Sequence, residues 1–227
     1  MVGKRTGFGK RVRVFKAFKQ KNSSAFFRLF NALSHKTCII EVGSQAERSG
    51  MLAVTVRDYI ASRDYRLMRR VNRWSAPQWV RAWMICATRG GDGWLWYILM
   101  AALLFAGGDQ RFQAVGAMLT SGALTITGFL SLKRITNRKR PCMLEPHCWA
   151  KLLPPDQFSF PSGHTMTAFA LAVVVSLFYP SLMIGVFFCA ISIAASRILL
   201  GMHFLSDVLA GSLLGASIGY FTYTLFR

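Results

Sequence analysis

The chain has 227 residues, 53% of them hydrophobic and 16% charged, with 28 Lys and Arg against 9 Asp and Glu for a formal net charge of +19. A disordered basic tail would be poor in apolar residues, and a soluble globular domain would rarely combine 18 Phe and 6 Trp with a mean hydropathy of +0.34, so both readings are disfavoured for the chain as a whole. What remains is a membrane protein whose charge lies outside its apolar spans, long enough for one domain and an appendage.

In chain order, residues 1–50 hold eleven Lys and Arg, and the first acid is Glu41. Between residues 10 and 33, basic residues mix with Phe15, Phe18, Phe26, Phe27 and Phe30, a pattern that fits interfacial helices and a disordered basic extension equally. No apolar segment follows the basic start, so no secretory leader is read there, and Met51 stands as an alternative start. Residues 51–90 carry eight more Lys and Arg. Val56, Ile60, Leu67, Val71 and Trp74 recur at helical spacing. After Ser75-Ala76-Pro77 a second short amphipathic helix is expected, with Trp79, Val80 and Trp83 on its apolar side and Gly90-Gly91 at its end.

From Gly93 onward, long uncharged stretches alternate with short polar breaks. Five spans are predicted, at 93–108, 112–132, 165–179, 181–200 and 205–226, several of them near the lower limit of about 17 residues for crossing a bilayer. Gly211, Gly215 and Gly219 form two overlapping small-xxx-small steps, which read as close helix packing. The expected fold is an all-α, polytopic transmembrane bundle of about five spans with amphipathic N-terminal helices. It has three parts: a basic extension (1–50), pre-membrane helices (51–90) and a membrane domain (91–227). The five Cys are odd in number and give no disulfide framework. Cys142, His147 and Cys148 invite a zinc reading, but neither a fourth ligand nor a paired CxxC accompanies them, so no metal is assigned. A Cys142–Cys148 disulfide stays open for a loop facing an oxidising compartment.

Three polar groups sit at span boundaries. Lys133 and Arg140-Pro141 follow the second span, Pro161-Ser162-Gly163-His164 opens the third, and Ser196-Arg197 closes the fourth before His203 and Asp207 begin the fifth. Leaving the membrane after span two, entering at span three and returning after span four puts all three groups on one face. His203 and Asp207 are four apart, so on one helix the carboxylate would accept a hydrogen bond from one imidazole nitrogen and leave the other nucleophilic. Ser162, Gly163 and His164 offer helix N-terminal N–H groups to an anion, and Lys133, Arg140 and Arg197 add three cations. The set describes a site for a phosphoryl group. Taken singly, each group has a plainer reading as a snorkelling or boundary residue. Pro-Ser-Gly-His alone, however, arises by chance in roughly one such chain in a thousand at average residue usage, and here it stands between the other two groups.

Lys133-x6-Arg140-Pro141, Pro161-Ser162-Gly163-His164 and Ser196-Arg197-x5-His203-x3-Asp207 resemble the three-part signature of the type 2 phosphatidic acid phosphatase superfamily, with every signature position matched over about residues 90–226. The resemblance implies a helical-bundle phosphatase that needs no metal or other cofactor and acts on membrane lipid phosphates or pyrophosphates. It implies that His203 attacks phosphorus to form a phosphohistidine, that Asp207 orients it, and that His164 protonates the leaving oxygen and later activates water. Lys133, Arg140, Ser162, Gly163 and Arg197 would hold the phosphoryl oxygens. Candidate substrates are phosphatidic acid, phosphatidylglycerophosphate, undecaprenyl pyrophosphate and a lipid A phosphate, in a bacterial inner membrane.

In a five-span layout only Arg111 and Arg227 of the 28 Lys and Arg lie opposite the site, so the positive-inside rule puts the site on the cytoplasmic face. A sixth crossing that includes residues 79–87 would put it outside. The basic excess then reports orientation and attraction to anionic lipid, with no nucleic-acid partner expected. Two alternatives compete. One is a non-catalytic membrane protein whose basic N-terminal region binds anionic lipid or nucleic acid, for which His164, His203 and Asp207 would be superfluous. The other is a vanadate-dependent haloperoxidase-like enzyme, whose soluble character the spans argue against.

Overall fold

The computed structural model describes the backbone of residues 45–144 and 157–227. By its contacts the chain divides into Met1–Leu52 and Ala53–Arg227. The expectations for residues 1–44, and those involving His147 and Cys148, lie outside the described residues.

Seven helices carry the fold among the described residues. Helix α1 (Gln45–Asn72) is followed by a turn at Pro77, which leads α2 (Gln78–Gly91). Gly93 and Gly107 bound α3 (Trp94–Ala106). Helix α4 (Arg111–Thr136) stops at Asn137, whose left-handed backbone returns its N–H to the Lys133 carbonyl. After a short turn of helix at Pro141–Leu144 come α5 (Gly163–Phe178), α6 (Met183–Leu199) and α7 (Leu205–Phe226). The predicted spans map onto α3 to α7.

Among the described residues, three helical stretches are long and apolar enough to cross a membrane: Gly108–Thr136, Pro180–Leu199 and Leu205–Phe226. The other two, α3 and α5, have 13 and 16 residues, which at 1.5 Å per residue reach roughly 20 and 24 Å against about 30 Å of hydrocarbon. For α5 the reason is packing. It runs through the middle of the bundle against α4, α6 and α7, with Ala168, Ala170, Ala172, Val174 and Val175 fully buried, so lipid does not set its length. Its N-terminus opens inside the protein, where irregular backbone can be satisfied by neighbouring groups. Gly211, Gly215 and Gly219 line the α7 face that meets α5. A Cβ at these positions would lie 2.8, 2.1 and 2.4 Å from the carbonyl oxygens of Ser162, Met166 and Ala170, so the two backbones touch. On the outside, Phe105, Ile184 and Leu213 are exposed, as lipid-facing residues must be.

The pre-membrane helices depart from a simple amphipathic reading. Val56, Ile60 and Trp74 of the predicted α1 stripe are exposed, while Asp64 and Met68 are buried. Helix α2 packs Val80 and Met84 against Leu199, Leu200 and Met202, and Trp83 stacks on Phe188 at 5.8 Å. Residues 79–87 thus lie along α6, in a helix that carries Arg81 and Arg89 and is not among the apolar ones.

Candidate active site

After α6 the chain reverses at Gly201, whose φ of 68° suits a residue without a Cβ, and the N–H groups of Met202 and His203 both donate to the Arg197 carbonyl at 3.0 Å. This fold-back holds His203 in the loop ahead of α7, only 2% exposed. Its Nδ1 lies 2.6 Å from the Ser159 carbonyl oxygen and its Nε2 lies 3.0 Å from Arg140 Nη1. A carbonyl can only accept and a guanidinium can only donate, so the ring carries its proton on Nδ1 and presents its lone pair at Nε2. Burial pushes the His203 pKa down to about 4; the contact with Asp207 opposes that shift, and Arg140 and Arg197 reinforce it. The imidazole is therefore neutral at physiological pH.

Asp207 is placed differently from the expectation. His203 precedes the helix rather than sharing it, because Asp207 caps the first turn of α7 with its own side chain, Oδ2 accepting the Phe204 N–H at 2.9 Å. Oδ2 then stands 3.8 Å from His203 Nδ1, within ion-pair range but beyond a hydrogen bond, and the Ser159 carbonyl takes the Nδ1 proton instead. The other carboxylate oxygen accepts from Arg138 Nη1 at 2.7 Å.

The expected phosphate-holding residues surround this loop. Arg140, 1% exposed, also donates through Nη1 to the Met202 carbonyl at 2.9 Å. Arg197 donates to Thr88 Oγ1 at 2.5 Å, which ties the end of α6 to α2. The Lys133 ammonium sits 5.2 Å from the centre of the Phe129 ring, and a Cβ on Gly163 would meet that same ring at 3.1 Å. Phe129 thus sets Lys133 beside the start of α5, and a side chain at Gly163 would press on the ring. Ser162 accompanies them as the N-cap residue of α5, but its hydroxyl pairs with Thr165 Oγ1 at 2.9 Å and caps no backbone N–H. Its own N–H donates to the Asp207 carbonyl at 3.1 Å, which joins the second signature group to the third.

His164 has a separate partner. Its Nε2 lies 2.8 Å from Asp92 Oδ1, in the turn between α2 and α3, and its ring packs over Gly91. An ionised carboxylate only accepts, so Nε2 carries a proton and Nδ1 is the nitrogen left for exchange. Among the described residues, no three His, Cys, Asp or Glu side chains converge as a metal site.

The profile of the PAP2 superfamily matches residues 112–227. The chain belongs to the PAP2 superfamily. It is 33% identical over 132 residues to the decaprenylphosphoryl-5-phosphoribose phosphatase of Mycobacterium tuberculosis (strain H37Rv), an alignment covering 56% of this chain and 68% of that protein. It is 32% identical over 152 residues to the lipid A 1-phosphatase of Rhizobium johnstonii, covering 58% of this chain and 62% of the relative. Among solved structures, Aquifex aeolicus LpxE superposes with a TM-score of 0.61 at 28% identity, covering 70% of this chain and 93% of that one. The transmembrane PAP2-type phosphatidylglycerolphosphate phosphatase of Bacillus subtilis shares the fold, with a TM-score of 0.59 at 23% identity over 77% of this chain and 90% of the other. Together with the apolar helices, these relationships make this PAP2 chain an integral membrane phosphatase.

Several residues around the PAP2 signature were not apparent from the sequence: Ser159, Arg138, Asp92, Thr88, Phe129 and Asp64. One signal was available. The chain has nine acids, and Asp64, Asp92 and Asp207 each contact an arginine or histidine of this region. So scarce a residue type, buried on a basic helix or set between glycines, is out of place without a cationic partner.

Proposed function

We propose that this PAP2 protein hydrolyses a phosphate monoester or pyrophosphate carried by a membrane lipid, through a phosphohistidine on His203, in a bacterial inner membrane. The observation that carries this reading is the two-sided hold on His203. The Ser159 carbonyl fixes the tautomer, and the Nε2 lone pair already meets the guanidinium of Arg140, a group suited to phosphoryl oxygens.

As a phosphoryl group arrives, Arg140 transfers its N–H from Nε2 to a phosphoryl oxygen, and Nε2 attacks phosphorus while the bond to the leaving oxygen breaks. His164, entering this step as an imidazolium held at Nε2 by Asp92, delivers its Nδ1 proton to that oxygen and is left neutral. The phosphorylated ring is cationic, with its Nδ1 proton on the Ser159 carbonyl and the Asp207 carboxylate near it. Water then attacks phosphorus and gives its proton to His164, the N–P bond breaks, and inorganic phosphate leaves with the Nε2 lone pair restored. Lys133, Arg140 and Arg197, with the start of α5 at Ser162 and Gly163, stabilise the charge on the phosphoryl oxygens.

A lipid substrate is supported by the site's position at the ends of apolar helices and by the relatives, which are named for polyprenyl and lipid A phosphates. Both names denote a phosphate on a sugar joined to long apolar chains, so sugar-linked lipid phosphates are the first class to test, beside phosphatidic acid, phosphatidylglycerophosphate and undecaprenyl pyrophosphate. Purified protein should release phosphate from one of these without added metal, and an acid-labile phosphoprotein should accumulate on rapid quenching. His203→Ala should lower turnover by at least about a thousandfold and abolish the phosphoprotein, while still inserting into membranes. Retained turnover in that variant would remove the assignment.

A further inference from the structure

We propose that Asp64, on the pre-membrane helix α1, is a positioning residue for the nucleophile, acting with Arg138 to fix Asp207, the first turn of α7 and the carbonyl that orients His203. This inference rests on the catalytic reading of His203 given above.

Arg138 lies between two buried carboxylates. Its Nη2 donates to Asp64 Oδ2 and its Nη1 to Asp207 Oδ1, both at 2.7 Å, while its guanidinium stacks 4.4 Å from the centre of the Phe204 ring. Ser206 completes the circuit. Its hydroxyl accepts from Arg138 at 2.6 Å and donates to Asp64 Oδ2, and its backbone N–H donates to Asp64 Oδ1 at 3.1 Å. Asp64 is therefore a negative group supplied from outside to the N-terminus of α7, next to the one Asp207 supplies from within. The main chain of Arg138 also contributes. Its carbonyl accepts the Ser159 N–H at 2.7 Å, and the Ser159 carbonyl in turn accepts His203 Nδ1–H. One residue thus reaches the nucleophile by two routes, through Asp207 and through Ser159, and Asp64 anchors that residue.

The placement of Asp64 is costly unless it serves this purpose. Along residues 56–72 only Asp64 and Met68 are buried, so α1 meets the bundle through a narrow contact with a carboxylate in it. Docking alone would be better served by an apolar side chain, since a buried charge is costly unless its partners are well arranged. Asp64, Met68, Pro141, His203 and Leu205 line one small cleft, and the hydrogen bonds of Asp64 toward the nucleophile loop go to Arg138 and Ser206.

The test uses the full chain in detergent micelles with whichever lipid phosphate it turns over, comparing wild type, Asp64→Asn, Asp64→Ala, the pair Asp64→Ala/Ser206→Ala and His203→Ala. Asp64→Asn keeps an oxygen for the Ser206 N–H but loses the charge opposite Arg138. Its kcat and its single-turnover rate of phosphohistidine formation should fall about tenfold, with KM within about a factor of three, because misplacing a reacting group slows chemistry more than it weakens binding. Asp64→Ala should fall on the order of a hundredfold, and adding Ser206→Ala should cost little more, since both act in one network. Should Asp64→Ala fail to fold, Asp64→Asn decides alone. Wild-type kcat and phosphorylation rate in Asp64→Asn would overturn the inference, as would a loss of activity that only follows the loss of folded protein. Normal turnover in Asp64→Asn beside an inactive His203→Ala would remove this inference and leave the catalytic reading intact. Activity in His203→Ala would remove the catalytic reading itself.

Discussion

At the scale of single residues, the site is governed by which atoms can donate and which can only accept. The Ser159 carbonyl and the Arg140 guanidinium between them leave His203 a single tautomer. Its pKa of about 4 against an ordinary 6.5 also has a consequence for stability. Between those values the unfolded chain binds a proton that the folded one does not, so stability falls as pH drops through that window, by on the order of 3 kcal/mol in total. The thermal midpoint in detergent should decline from pH 6.5 toward pH 4, and His203→Gln should flatten much of that slope. Asp92 gives a second prediction. With Asp92→Asn the His164 ring loses its anionic partner, and both phosphohistidine formation and its hydrolysis should slow by on the order of tenfold to a hundredfold, measured by rapid quench. An effect on binding alone would count against His164 as the acid and base.

At the scale of helices, close backbone contact between α5 and α7 sets the geometry on which these residues depend. A methyl at Gly215 would stand 2.1 Å from the Met166 carbonyl oxygen, and neither backbone can yield without parting the helices. Gly215→Ala should lower stability by about 1–3 kcal/mol or more, whereas Gly185→Ala, whose added carbon meets nothing within 4 Å, should leave the thermal midpoint unchanged or raise it. The glycine spacing made this contact legible in the sequence, and uncharged runs made α3, α4, α6 and α7 legible too. The start of α5 was marked by Pro-Ser-Gly-His. What spacing did not carry was the partnership of Asp64 with Arg138, of Asp92 with His164 and of Ser159 with His203. Those pairs lie 74, 72 and 44 residues apart and leave no periodic trace. The α1 stripe misled for a related reason. Helical periodicity reports an apolar face without naming what covers it, and Val56 and Ile60 point away from the protein.

For the whole molecule, the proposed phosphoryl site draws on both segments preceding the apolar helices as well as on the helices themselves. Asp64 of α1 pairs with Arg138, Thr88 of α2 holds Arg197, and Asp92 holds His164. These contacts require the end of α1 and the loop after α4 to lie on one side of the bilayer, with the α3–α4 turn on the other. In a cysteine-free background, Arg73→Cys and Lys139→Cys should react with an impermeant maleimide from the same face of sealed vesicles, and Asp109→Cys from the opposite face. Labelling of Arg73→Cys and Lys139→Cys from different faces would contradict the arrangement. The same experiment determines whether that face is cytoplasmic, as the excess of basic residues predicts.

On the proposed mechanism, the contact between Arg140 and His203 Nε2 protects the resting enzyme. The electron pair proposed to attack phosphorus is engaged by the hydrogen that a phosphoryl oxygen would draw away, so the substrate itself would release the nucleophile. A neutral electrophile arriving at the headgroup layer would offer Arg140 a weaker acceptor than a phosphate anion and would meet a ring whose lone pair is already engaged. In that mechanism, the guanidinium would return to the nitrogen as phosphate departs and compete with product for the same position. A single hydrogen bond would thus disfavour unsuitable reactants before the reaction and help to expel the product after it.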